Sequence, residues 1–206
     1  MIKTSLLLIL LISLFALTAQ AAIRKHYTNE VIVAVIDTGV DLGRSRLVNH
    51  FWKNPGESGF DINGHDKSKN GLDDDGNGFI DDVYGWNFAQ DNSVLTDTNG
   101  HGTHISGIIS EENSAKIMVL KAFDSKLSGN KAVEASIHAI RYAIKMNAQI
   151  INYSGGGVLP SADERLALQE AEKNGILVVA AAGNEKSNSD IQKYYPAGYG
   201  LSNILS

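Results

Sequence analysis

Two hundred and six residues, 43% apolar and 7% aromatic, suit one globular α/β domain or part of one. The net charge of −5, which becomes −6 without the first 21 residues, excludes a nucleic-acid footprint and a basic membrane-surface patch. The chain has no cysteine, which excludes a disulfide framework, a thiolate zinc site and a lipid-modified cysteine.

Met1 to Lys3 carries one positive charge and Leu6 to Leu17 is uncharged and apolar. Ala19-Gln20-Ala21 then offers small residues for signal peptidase. The apolar run is about a dozen residues, short of the roughly 20 that span a bilayer. The expectation is therefore a cleaved secretory signal over 1–21, a membrane anchor being the other reading. The mature chain is expected to be one domain over 22–206, extracellular or periplasmic, monomeric and without membrane attachment.

Val31 to Ile36 is a continuous β-branched run, the pattern of a strand covered on both faces, and it ends at Asp37-Thr38-Gly39. Asn54 to Asp82 is rich in Gly, Asn and Asp and reads as loop. His101 to Ser110 reads as a short helix after the Asn99-Gly100 turn, and Ile117 to Ala122 as a second strand. Val133, Ile137, Ile140 and Ile144 form the stripe of an amphipathic helix. Gln149 to Tyr153 predicts a third strand. Ser161 with Glu164 predicts a capping box opening a helix that ends at Asn174-Gly175. Ile176 to Ala181 predicts a fourth strand, and Leu201 to Ser206 the first half of another, so the chain is expected to be truncated. Alternating strands and helices predict an α/β fold, a parallel sheet with helices on both faces.

Functional groups in such sheets collect at the carboxyl ends of the strands. Asp37 stands there on the first strand. It is also open to reading as a turn aspartate, or as the Asp-Thr-Gly of aspartic peptidases, whose mostly β fold the helical periodicities oppose. His101 would open its helix facing the cleft. Alternatively it is structural, or pairs with His104 on a metal, although zinc needs a further protein ligand that nothing nominates. Ser154-Gly155-Gly156-Gly157 follows the third strand. A phosphate cradle there lacks any surrounding fingerprint. A hydrolase nucleophile elbow fails too, because Asn152 stands where that motif needs Gly and the last histidine, His138, precedes the serine. Asn184, after the fourth strand, would bring a side-chain amide donor to the same cleft or simply make a turn.

In order, Asp-Thr-Gly, His-Gly-Thr-His, Ser-Gly-Gly-Gly and Ala-Ala-Gly-Asn-Glu resemble the subtilisin-like serine peptidases, from about Val31 to the end. The resemblance implies proteolysis of peptide or protein substrates by acyl transfer. Asp37 would orient the base, His101 would be the general base, and Asn184 would serve the oxyanion. Ser154, Gly155 and Gly156 would pair with the substrate backbone. Two departures stand out. No Gly-Thr-Ser segment, the family's nucleophile element, occurs in the 206 residues. Removing that serine from subtilisin costs roughly a million-fold in turnover, so the chain as it stands is expected to be inactive. Only Ala22 to Glu30 lies where family members often carry a propeptide.

Asp73, Asp75, Asn77 and Gly78 match the opening of a calcium-loop pattern, with the Phe79 carbonyl and Asp81 or Asp82 as further oxygens. The position of the closing bidentate Glu is Tyr84, so the match is incomplete. A solvated acidic turn is the plain alternative. Similar loops in the resembled family bind calcium, so a stabilising calcium held by Asp73, Asp75, Asn77, Phe79 and Asp82 is expected.

Overall fold

The computed structural model describes residues 30–206 apart from 128, 185, 187, 189 and 190; the expected signal over 1–21 lies outside the described residues. Residues 31–206 form one compact unit. No helix among the described residues is long and apolar enough to cross a membrane.

The predicted apolar runs become the inner strands of one parallel sheet. These are β1 (Val31–Asp37), β3 (Ala115–Lys121), β4 (Ile150–Tyr153) and β5 (Leu177–Ala180), with β6 (Ile204–Leu205) at one edge. At the other edge lies β2 (Gly85–Asn87), which the sequence did not announce. Three residues opened by a glycine carry no alternation, and the strand exists because Gly85, Trp86 and Asn87 pair with Val119, Leu120 and Lys121. The order is β2-β3-β1-β4-β5-β6, with every neighbouring pair parallel.

Strand alternation decides what each face buries. Ala34, Ile36, Met118, Leu120, Ile151, Tyr153 and Val178 point to one face. There they pack with Ala139, Ile140 and Ala143 of α2 (Asn130–Lys145) and Ala167, Leu168 and Ala171 of α3 (Ala162–Lys173). Val33, Val35, Ile117 and Val119 point to the other face. They meet Val40, Leu47, Phe51 and Leu95, together with Ile105 and Ile109 of α1 (His101–Ile109). Helices therefore cover both faces, as the pattern predicted.

The start of α3 departs from a full capping box. The Ser161 hydroxyl accepts from the Glu164 amide, but the Glu164 carboxylate turns inward. It accepts from the hydroxyls of Tyr153 (2.7 Å) and Tyr199 (2.8 Å). Burial, reinforced by that carboxylate, pushes both phenols well above their ordinary pKa.

From β1 the chain runs to the sheet edge as β2, comes back to β3 beside β1, and then crosses β1 to build β4, β5 and β6 on the other side. The winding reverses at β1, and a crevice forms at the carboxyl ends of the strands at such a switch point.

Candidate active site

Asp37 is the last residue of β1, at this switch point, and is 1% exposed. Its first turn runs through Thr38 to Gly39, whose φ of 103° favours glycine. The Thr38 amide donates to Asp37 Oδ1 at 2.7 Å. α1 arrives from the other side, led by Gly100 with φ 94°. It presses so closely on the turn that a Cβ on Gly102 would collide with the Gly39 carbonyl oxygen. Only glycine at 102 lets the first residue of α1 reach β1.

His101 is that residue. Its Nδ1 lies 2.9 Å from Asp37 Oδ1 and 3.0 Å from Oδ2. The carboxylate is sealed in protein, while the imidazole side chain is 49% exposed. An ionised carboxylate only accepts, so Nδ1 carries the proton and Nε2 is left with its lone pair towards the open side. A buried acid thus aims a solvent-facing base.

Asp97 holds this junction together and was not singled out in the sequence. Its Oδ1 accepts from the Thr38 hydroxyl (2.9 Å) and the Gly100 amide (2.8 Å). Its Oδ2 accepts from the Thr103 amide (2.9 Å) and hydroxyl (2.7 Å). The Thr38 hydroxyl in turn accepts from the Gly102 amide at 3.0 Å. One carboxylate therefore caps α1 and ties it to the Asp37 turn. Burial opposes its ionisation, but the donors from Thr103, Gly100 and Thr38 prevail and hold its pKa down to about 2. An aspartate three residues before a Gly-His helix start is an N-terminal signal that could have found it.

Ser154-Gly155-Gly156 leaves the carboxyl end of β4, which is hydrogen-bonded to β1. The Ser154 hydroxyl accepts from Asn152 Nδ2 at 2.6 Å. Gly156 has φ 149°, and a Cβ there would meet the Tyr195 carbonyl. Beside it a pocket of about 710 Å³ opens between Phe123, Val133, Ile137, Tyr153 and Leu159. Asn184 lies just beyond the carboxyl end of β5, on the same edge of the sheet, and is exposed. His104 is exposed on α1, and no group of metal-ligating side chains among the described residues includes it or His101.

The acidic loop forms a separate assembly. Asp82 is fully buried and accepts from Asn54 Nδ2 (2.6 Å), Asn77 Nδ2 (2.8 Å) and the Tyr142 hydroxyl (2.6 Å). Burial raises its pKa despite these donors. Asp73 accepts from the amides of Asn77 (3.0 Å) and Gly78 (2.7 Å), and Asp75 from the amide of Asn77 (2.9 Å). The Phe79 amide donates to Asn77 Oδ1 at 2.7 Å. Asp73 and Asp75 come together with Glu57, which the sequence reading missed because it lies in a different loop.

The fold and this junction place the chain in a known class. The model of the Subtilase family matches residues 28–206, and the chain belongs to that family. Over 189 residues it is 30% identical to Subtilisin-like protease 1 of Plasmodium falciparum, an alignment covering 84% of this chain and 26% of that protein. Over 179 residues it is 32% identical to the major intracellular serine protease of Bacillus subtilis, covering 81% and 47%. Fervidolysin from Fervidobacterium pennivorans, described as a keratinolytic enzyme related to subtilisin, shares the fold. It superposes with a TM-score of 0.58 at 24% identity, covering 85% of this chain and 24% of that one. The chain thus spans less than half the length of either curated relative.

Proposed function

We propose that this polypeptide supplies the acid and base of a subtilisin-like serine endopeptidase. The observation that carries the reading is the Asp37–His101 pair, a sealed carboxylate 2.9 Å from the Nδ1 of a half-exposed imidazole. In acyl transfer, His101 Nε2 removes the proton of the attacking serine and returns it to the leaving amine. Asp37 fixes the tautomer and stabilises the imidazolium while the positive charge lasts. Asn184 donates its side-chain amide to the oxyanion of the tetrahedral intermediate. An extended substrate adds as a strand beside Ser154, Gly155 and Gly156, and the neighbouring pocket accepts one of its side chains.

The 206 residues hold no Gly-Thr-Ser segment, so on this reading the nucleophile is supplied by polypeptide outside them, and this stretch alone hydrolyses nothing at a useful rate. The same absence favours a second reading, an inactive subtilase remnant that binds peptide or calcium. We further read residues 1–21 as a signal for export and the exported domain as a monomer. The acidic loop offers only oxygen donors, the set that suits a hard cation. Calcium bound by Asp73, Asp75, Asn77, the Phe79 carbonyl and the neighbouring Asp82 would stabilise the loop and take no part in the chemistry.

The test is reaction with a fluorophosphonate probe. The product of the reading frame, followed past the codon for Ser206, should be labelled on one serine, and His101→Ala should slow labelling at least a thousandfold. A frame that stops at that codon, or labelling indifferent to His101, would overturn the peptidase reading.

A further inference from the structure

The calcium-loop pattern opened by Asp73 lacks its closing carboxylate, because Tyr84 occupies that position. The fold brings a carboxylate there from elsewhere in the chain. Glu57 is fully buried, and its Oε1 accepts from the amides of Asp74 (2.7 Å) and Asp75 (3.3 Å). Those two bonds orient the group into the loop. Its Oε2 is buried with no hydrogen-bond partner. Ligand oxygens of Glu57, Asp73 and Asp75 all lie within 4.8 Å of one another.

Three carboxylates converging on one point, one of them sealed from water with a bare oxygen, repel one another and need a compensating charge. The nearby cations do not supply it. Lys67 Nζ donates to the Gly56 carbonyl (2.6 Å) and Lys145 Nζ to the Asn77 carbonyl (2.7 Å), and neither forms an ion pair with these carboxylates. Among the described residues no ion pair includes any of the three. The two loops are also pressed together, since a Cβ on Gly56 would overlap the Asp75 side chain. Both oxygens of Asp73 and Oδ1 of Asp75 keep a second lone pair beyond the amide hydrogen bond, whereas Asp75 Oδ2 already accepts from Asn54 Nδ2 (3.0 Å) and Asn77 Nδ2 (3.2 Å).

We propose that Glu57 is the closing carboxylate ligand of the calcium site in the 73–82 loop, taking the place that Tyr84 cannot fill. The inference rests on the calcium reading above and specifies it. The ion thereby clips the loop that follows Trp52 to the acidic loop, an alternative to the disulfide this chain lacks. With oxygen donors only, and neither thiolate nor imidazole, the site favours calcium over zinc.

The test is calorimetric titration of the chelator-stripped chain with calcium chloride, with thermal melts in calcium and in chelator. Wild type should bind one calcium in this loop, Glu57→Gln should weaken it at least tenfold, and the exposed control Glu112→Gln should leave it unchanged. In chelator Glu57→Gln should melt at or above wild type, because it removes an uncompensated buried charge. In calcium the order should reverse. A merely structural glutamate would instead make the variant less stable in both buffers. No calcium binding by wild type would sink the calcium reading itself. Equal binding by wild type and Glu57→Gln would sink only the role of Glu57. If the variant fails to fold, carboxyl-carbon NMR of wild-type glutamates decides: a buried glutamate signal that moves on calcium addition supports the assignment, and none moving overturns it.

Discussion

Substituting Gly102 by Ala probes the junction that brings His101 to Asp37. The new Cβ would fall on the Gly39 carbonyl oxygen and 3.1 Å from both Cβ and Oδ1 of Asp37. Backbone cannot swing away as a side-chain tip can, so the overpacking cost should sit high in the usual range, about 2–3 kcal/mol. Alanine's better helix propensity offsets up to about 1 kcal/mol, leaving a net loss of roughly 1–2 kcal/mol. For a unit of this size that lowers Tm by roughly 2–8 °C. Gly107 is the control on the same helix, because a Cβ there meets nothing within 4 Å. Gly107→Ala should therefore raise Tm by roughly 1–4 °C. Thermal melts followed by circular dichroism, at matched protein and calcium concentrations, compare the pair. If Gly102→Ala melts at or above wild type, or if both variants shift alike, the close approach of α1 to β1 is not what positions the histidine.

Asp97→Asn should be destabilised by about 1 kcal/mol near neutral pH, after allowing for solvent screening of a partly exposed group. The folded pKa is held down to about 2 from an ordinary 3.8. Wild type's advantage is therefore complete above about pH 4 and fades as the pH falls towards 2, and urea midpoints that stay equally separated across that window would contradict it. Tyr142→Phe removes a 2.6 Å donor from the buried Asp82 carboxylate and should cost about 2 kcal/mol. A loss under about 0.5 kcal/mol in denaturant titration would mean that Asn54 and Asn77 suffice.

Much of this architecture was legible because its signals are local. The β-branched run to Ile36, the period of Val133 to Ile144 and the Ser161 cap each name an element from its own residues. Asp37 and His101 were legible as motif residues, but their 2.9 Å approach depends on a helix and a strand 64 positions apart. Other features are purely tertiary. β2 has no pattern of its own and owes its pairing to β3. Glu57 looks like any loop glutamate until the fold sets it against Asp73 and Asp75. Glu164 obeyed the capping-box spacing, yet its carboxylate was drawn to Tyr153 and Tyr199, because a buried phenol needs an acceptor more than an exposed helix start needs a second cap.

The central claim is that a sealed Asp37 makes His101 a base by fixing which ring nitrogen holds the proton. Nitrogen-15 NMR of the histidine rings in this chain tests it directly. In the neutral imidazole of His101, Nδ1 should be the protonated nitrogen and Nε2 the bare one, and the preference should be lost in Asp37→Asn. Finding the proton on Nε2 in wild type, or the same tautomer with and without the Asp37 carboxylate, would contradict the account.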